Sequence, residues 1–128
     1  MGKVIVYNCK NEDYTSEENN FYIGRSKNGN PLGNPFSHNW VKSSLAKLSF
    51  KTREEAIKAY GEYFDTLYGK DAELTKAFDK IYEKYKNGED VYLQCFCKPL
   101  PCHGDIIADR LQRKLIMEKL KERNALKL

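Results

Sequence analysis

The sequence predicts a small α/β domain: a mainly parallel sheet of three or four strands, flanked by helices in a Rossmann-like layered arrangement. Three observations carry that prediction. β-Branched and apolar runs of strand length occur at residues 3–8 (KVIVYN) and 91–96 (VYLQCF). Two intervening segments repeat apolar residues at spacings of three and four, the stripe of a helix lying on a core. Strand-like and helix-like segments alternate, which leads to helices layered on parallel strands.

At 128 residues the chain has room for one domain with a single core, burying roughly two-thirds of its unfolded surface. We divide it into an α/β domain over residues 1–118 and a basic C-terminal tail over 119–128 (KLKERNALKL), expected to fray, with a partner-binding helix as the lesser alternative. The 22 Lys and Arg against 18 Asp and Glu give a formal +4, which permits an anionic ligand without demanding nucleic acid. No apolar run has the length of a signal segment or a membrane span, so a cytoplasmic protein is expected. In that reducing setting the four Cys read as thiols, metal ligands or a reactive group, not as a disulfide framework.

The first strand is followed by a polar, acidic stretch (NEDYTSEENN, 11–20), a solvated loop by composition. A short second strand, FYIG (21–24), ends at Gly24-Arg25. Residues 26–36 (SKNGNPLGNPF) cannot hold a regular element, because Gly29 and Gly33 favour positive φ while Pro31 and Pro35 lack amide donors. One reading makes this a structural turn packed by Leu32 and Phe36. The sharper reading lines a pocket with its backbone amides and with Asn30 or Asn34, Arg25 and Lys27 serving as anion partners. Residues 37–50 are ambiguous, and His38 reads as a loop histidine. Thr52 and Glu55 fit a capping box that opens a helix to about Tyr68, with Ala56, Ile57, Tyr60, Phe64 and Leu67 as its core stripe. Gly69 stops it. Asp71 caps a second helix with the face Leu74, Ala77, Phe78, Ile81 and Tyr85, and Asn87-Gly88 ends that helix with a left-handed signal. The nine Tyr leave room for a homo-oligomer, with Tyr60, Tyr63, Tyr82 and Tyr85 either at the core edge or in an interface.

If the strands are parallel, Asn8-Cys9, Gly24-Arg25 and residues 97–103 reach the same carboxyl edge, where such sheets collect their ligands. The last of these segments is the richest in chemistry. Cys95 and Cys97 stand two apart on a strand, and Pro99 and Pro101 fix the turn that returns Cys102 and His103. Zinc is one reading, with Cys97, Cys102, His103 and Cys95 or Cys9 as soft ligands, although the spacing is not that of a ribbon or finger. A second is a reactive or ligand-touching Cys102 at a helix N-terminus, where free amides and the dipole favour a thiolate or a bound anion. His103 would assist as base or donor, and Asp105 would orient it or cap the helix. A third makes all of these packing and capping residues. The helix begins near Gly104 or Asp105, and Ile106, Ile107, Leu111, Leu115 and Met117 should face the sheet.

Together, YIGR (22–25), GNPF (33–36), REEAIKAY (53–60) and CFCKPLPCHGDIIADRL (95–111) resemble an uncharacterised family of small phage and bacterial domains, domain of unknown function 4326. The resemblance implies that Gly24, Arg25, Gly33, Asn34, Pro35, Cys95, Cys97, Pro99, Pro101, Cys102, His103 and Asp105 belong to the family pattern. It carries no activity with it, and Leu32 stands where many relatives have Trp. The resulting expectation is a phage-type protein that binds a nucleotide or nucleoside-like anion through Gly24, Arg25, Lys27, Gly33 and Asn34. Cys102, His103 and Asp105 would close the pocket or act on the ligand. The rival expectations are a Cys/His-assisted hydrolase or transferase on a nucleoside derivative, and a zinc-stabilised interaction module.

Overall fold

The computed structural model describes residues 2–8, 18–24, 30–33, 36–37, 48–49, 53–95 and 102–126, with backbone only at 36–37, 48–49 and 125–126. Its elements run β1 (Val4–Asn8), β2 (Asn20–Tyr22), β3 (Phe36–Ser37), β4 (Leu48–Ser49), α1 (Arg53–Leu67), α2 (Ala72–Lys86), β5 (Val91–Cys95) and α3 (His103–Leu126).

The main sheet has the order β1-β5-β2, with both pairings parallel. The predicted α/β layout is therefore the one observed. β5, the last strand in sequence, is the central one. The ambiguous stretch contributes β3 and β4, which pair in parallel as a separate two-stranded sheet.

Strand alternation sorts the side chains. Val4 and Val6 of β1, Phe21 and Ile23 at β2, and Val91, Leu93 and Cys95 of β5 join the helical core. Ile5, Tyr7, Asn20, Tyr22, Tyr92 and Gln94 occupy the alternate positions, and there Tyr7 links Gln94 to Asn20 through its hydroxyl. Asn19 and Asn20 leave the predicted loop. Asn19 is buried, and its amide donates to the Asp90 carbonyl at 3.2 Å and to Glu89 at 3.3 Å.

The helices follow their stripes. α1 buries Ala56, Tyr60 and Phe64, and α2 buries Leu74, Phe78, Ile81, Tyr82 and Tyr85. Asp71 caps α2 as expected, accepting from the Leu74 amide at 3.0 Å. Gly69 and Gly88 take the positive φ values of +85° and +90° that punctuate the two helix ends. Tyr60, Tyr82 and Tyr85 are core residues and Tyr63 is partly buried against them, so these tyrosines build the interior. The capping residue Thr52 lies outside the described residues.

α3 departs from expectation at both ends. It starts at His103, with Cys102 in the capping position, and it runs through Glu118 to Leu126 where a fraying tail was predicted. Ile107, Leu111 and Leu115 face the core, whereas Met117 is exposed. Polar pins bind α3 to the other helices. Arg110 forms two bonds to Asp65 of α1, at 2.8 and 2.9 Å. Lys114 donates to the Tyr68 hydroxyl at 2.7 Å and lies 5.2 and 5.0 Å from the Tyr68 and Tyr82 ring centres. The Tyr82 hydroxyl donates to Glu118 at 2.6 Å, and Lys86 stands 3.5 Å from the same carboxylate.

The Tyr82 hydrogen bond, opposed by burial and aided by Lys86 and Lys114, holds the Glu118 pKa below its ordinary value. A carboxyl depressed on folding adds stability that is complete above its unfolded pKa and lost as pH falls through the native one. Wild type should therefore lose up to about 1 kcal/mol relative to Glu118→Gln between about pH 5 and pH 3, a small effect because the group is about a third exposed. Urea unfolding of both proteins across that range would measure it. Parallel pH profiles would refute it.

Candidate functional site

The carboxyl edge of the sheet is assembled by backbone register first. Asn8 pairs with Cys95, and β2 is prolonged past Tyr22 by an Ile23 amide to Gln94 carbonyl bond of 3.1 Å. Asn8, Cys95 and Ile23 consequently stand side by side, with Gly24 the next residue along. The N-terminus of α3 arrives at this same edge.

Gly104 makes that arrival close. A Cβ placed on it would lie 2.7 Å from Val6 Cγ1 and 2.8 Å from Ile23 Cδ1. The first turn of α3 thus rests directly on side chains from β1 and from the end of β2. Gly24 is compact for a different reason, since a Cβ there would collide with the ring and hydroxyl of Tyr22, folded back over it.

Helix capping accounts for much of the Cys-His-Gly-Asp sequence. The Asp105 carboxylate accepts from the Cys102 amide at 3.1 Å, and the Cys102 sulfur accepts from the Gly104 amide at 3.3 Å. This is a capping box in which a thiol takes the place of the usual hydroxyl. The Cys102 Sγ also lies 3.6 Å from Cys95 Sγ, and both cysteines are buried. Cys102 thus stands at the N-terminus of α3 with the Gly104 amide aimed at its sulfur.

His103 is buried, and its Nε2 lies 2.6 Å from the Ile23 carbonyl oxygen. A carbonyl can only accept, so Nε2 carries the proton. Metal ligation or base catalysis by this ring would fall to Nδ1. The ring also meets Tyr60 edge-on, with centroids 5.0 Å apart, and the Tyr60 hydroxyl donates to the Leu32 carbonyl at 2.8 Å. Burial pushes the Tyr60 pKa well above its ordinary value, so the phenol acts as a donor and not as a base.

The turn at 30–33 is bound to this edge as well. Asn30 donates to the Tyr22 and Gly24 carbonyls, each at 2.9 Å, and its side-chain oxygen lies 3.2 Å from the Leu32 amide. Gly33 closes the turn with a 2.8 Å amide bond to the Asn30 carbonyl. Asn30 therefore holds backbone to backbone, a structural use in place of the pocket-lining role.

Of the predicted site residues, Gly24, Gly33, Cys95, Cys102, His103 and Asp105 are brought to this edge. Arg25, Lys27, Asn34 and Cys97 lie outside the described residues, as do Cys9, His38, Pro35, Pro99 and Pro101. Among the described residues, no group of three or more His, Cys, Asp or Glu is placed to hold a metal ion. None of the described helices is long and apolar enough to cross a membrane. The sequence reading missed the part played by Tyr60, whose place in a core stripe gave no sign that its ring and hydroxyl border the site.

A family model described as a domain of unknown function (DUF4326) matches residues 7–113, a span that takes in every element from β2 to β5 and the first half of α3. No curated protein and no solved structure matches the chain.

Proposed function

Because the chain belongs to the family of domain of unknown function 4326, we propose its function from the site alone: it binds a nucleotide or nucleoside-like anion at the carboxyl edge of the sheet. The observation that carries this reading is the His103 bond to the Ile23 carbonyl. It fastens the start of α3 to the turn that leads into Arg25, so that three strand ends and one helix N-terminus share an edge. Parallel sheets receive their ligands in that place.

In this reading Arg25 and Lys27 supply charge, Gly33 and Asn34 supply the loop that holds the anion, and Gly24, beneath the Tyr22 ring, sets the turn that carries Arg25. Cys102, His103 and Asp105 form the wall. Asp105 already caps the helix, so the anion depends on Arg25 more than on the α3 dipole. Such a pocket suits a cytoplasmic, phage-type protein that captures or processes a nucleotide.

Isothermal titration of the reduced protein with a panel of nucleoside mono-, di- and triphosphates, cyclic nucleotides, dinucleotides and bare nucleosides tests the proposal. One phosphorylated class should saturate the protein, and Arg25→Ala should weaken it at least about tenfold, the loss of one charge-assisted contact. No binding across the panel, or binding indifferent to Arg25→Ala, would defeat it.

The Gly104 amide on the Cys102 sulfur favours one second reading, a thiol-assisted hydrolase or transferase on a nucleoside derivative. A Cys102→Ala protein that still binds but no longer converts the ligand would move Cys102 from wall to nucleophile. The Cys95 to Cys102 sulfur distance of 3.6 Å also resembles the roughly 3.8 Å between two thiolates on one tetrahedral zinc ion. Zinc as a structural partner predicts a stoichiometric metal content and unfolding on chelation.

A further inference from the structure

The last helix carries a surface that neither the fold nor the edge site uses. Ile116, Met117 and Leu120 are 58 %, 55 % and 44 % exposed, and of the described large apolar side chains only Tyr22 joins them at the surface. Spacings of one and four place all three on one side of α3. They form a continuous patch just over one turn long.

This stripe is framed by positive charge. Residues 110–126 hold six Lys or Arg against two Glu, a formal +4 that equals the net charge of the whole chain. Lys119, Lys121 and Arg123 flank or end the stripe and are exposed. The two glutamates lie off it, Glu118 on Tyr82 and Lys86. The family match covers residues 7–113, whereas the helix continues to Leu126, so this surface lies beyond the matched span.

Charge decides what can cover it. Two copies of α3 laid antiparallel about the stripe set Arg113 against Arg123, and laid parallel they set each cation against itself, which like charges disfavour. An interfacial membrane helix buries an apolar face that runs along its length, and here that face is three side chains, Ile116, Met117 and Leu120. Phosphates of a nucleic acid would leave the three apolar side chains in water. We propose that this face of α3 docks an acidic amphipathic helix of a partner protein, its apolar stripe meeting Ile116, Met117 and Leu120 and its carboxylates meeting Lys119, Lys121 and Arg123.

The test uses the full chain and a synthetic peptide of about three heptads, with Leu on one face and Glu along both flanks. A twin peptide carries Lys in place of Glu. Fluorescence anisotropy should show binding of the Glu peptide and not of its twin, weakening as salt rises. The double variant Ile116→Glu, Leu120→Glu should weaken binding at least about tenfold. Its thermal midpoint should stay at the wild-type value, since both side chains are exposed. Four results would each overturn the proposal: no binding of either peptide, equal binding of both, affinity unchanged in the double variant, or a wild-type dimer in sedimentation that the double variant abolishes. Binding to phosphatidylserine vesicles in place of the Glu peptide would assign the face to a membrane surface instead.

Discussion

Gly104→Val is expected to lower the free energy of unfolding by roughly 3 kcal/mol, a fall of about 10 °C in midpoint for a domain of this size. The valine methyls have nowhere to go, because even a bare Cβ would meet Val6 Cγ1 at 2.7 Å and Ile23 Cδ1 at 2.8 Å. Val6 is β-branched and set on a strand, so its methyl cannot turn away cheaply. Ile23 Cδ1 is a side-chain end and can rotate. Gly104→Ala should therefore be much milder, its crowding partly offset by the gain of about 1 kcal/mol that Ala has over Gly inside a helix. Thermal unfolding followed by circular dichroism separates the two. Equal midpoints for wild type and the Val variant would mean that α3 does not lie as close to the sheet as described.

The second large effect belongs to His103. His103→Ala removes a buried ring, its edge contact with Tyr60 and the donor to the Ile23 carbonyl, for an expected loss of about 3–4 kcal/mol. The unpaired carbonyl is a large part of that loss. His103→Gln, whose amide nitrogen can reach the place of Nε2, should recover about 1–2 kcal/mol. If Ala and Gln variants are equally stable, the hydrogen bond contributes little and the ring only fills space. The same pair probes the proposed function, since a loosened Gly24 turn should weaken ligand binding more in the Ala variant than in the Gln variant.

Periodicity made most of the fold legible. The α1 and α2 stripes, the Asp71 cap and the Gly88 stop depend on neighbours three or four residues away, and each appears as read. The strand runs around Val6 and Leu93 were equally plain, although which strand would be central was not. That choice depends on contacts between residues far apart in the chain. The edge site was legible as a place and not as an arrangement. Cys102, His103 and Asp105 looked like chemistry because their side chains can do chemistry. Asp105 and the Cys102 sulfur turn out to cap a helix, and His103 ties it to Ile23. The Tyr60 hydroxyl escaped notice because a hydrogen bond to the Leu32 carbonyl leaves no periodic trace. The end of α3 was misjudged because its charged, weakly amphipathic sequence lacks a stop signal as well as a core-facing stripe.

The central position of β5 also bears on how the protein comes into being. Lys3 meets Asp90, and Tyr7 meets Gln94, across 87 positions of chain in each case. A ribosome making this protein would release β1 and β2 long before the strand that separates them exists. Neither can pair natively until β5 emerges, and each must wait with unpaired amides and apolar side chains. α1 and α2, joined by a short turn and meeting edge-to-face through Phe64 and Phe78, can form in the interval from local contacts alone. The helical pair would then present the surface on which β5 gathers its two neighbours, making sheet closure the slow and concluding event of synthesis.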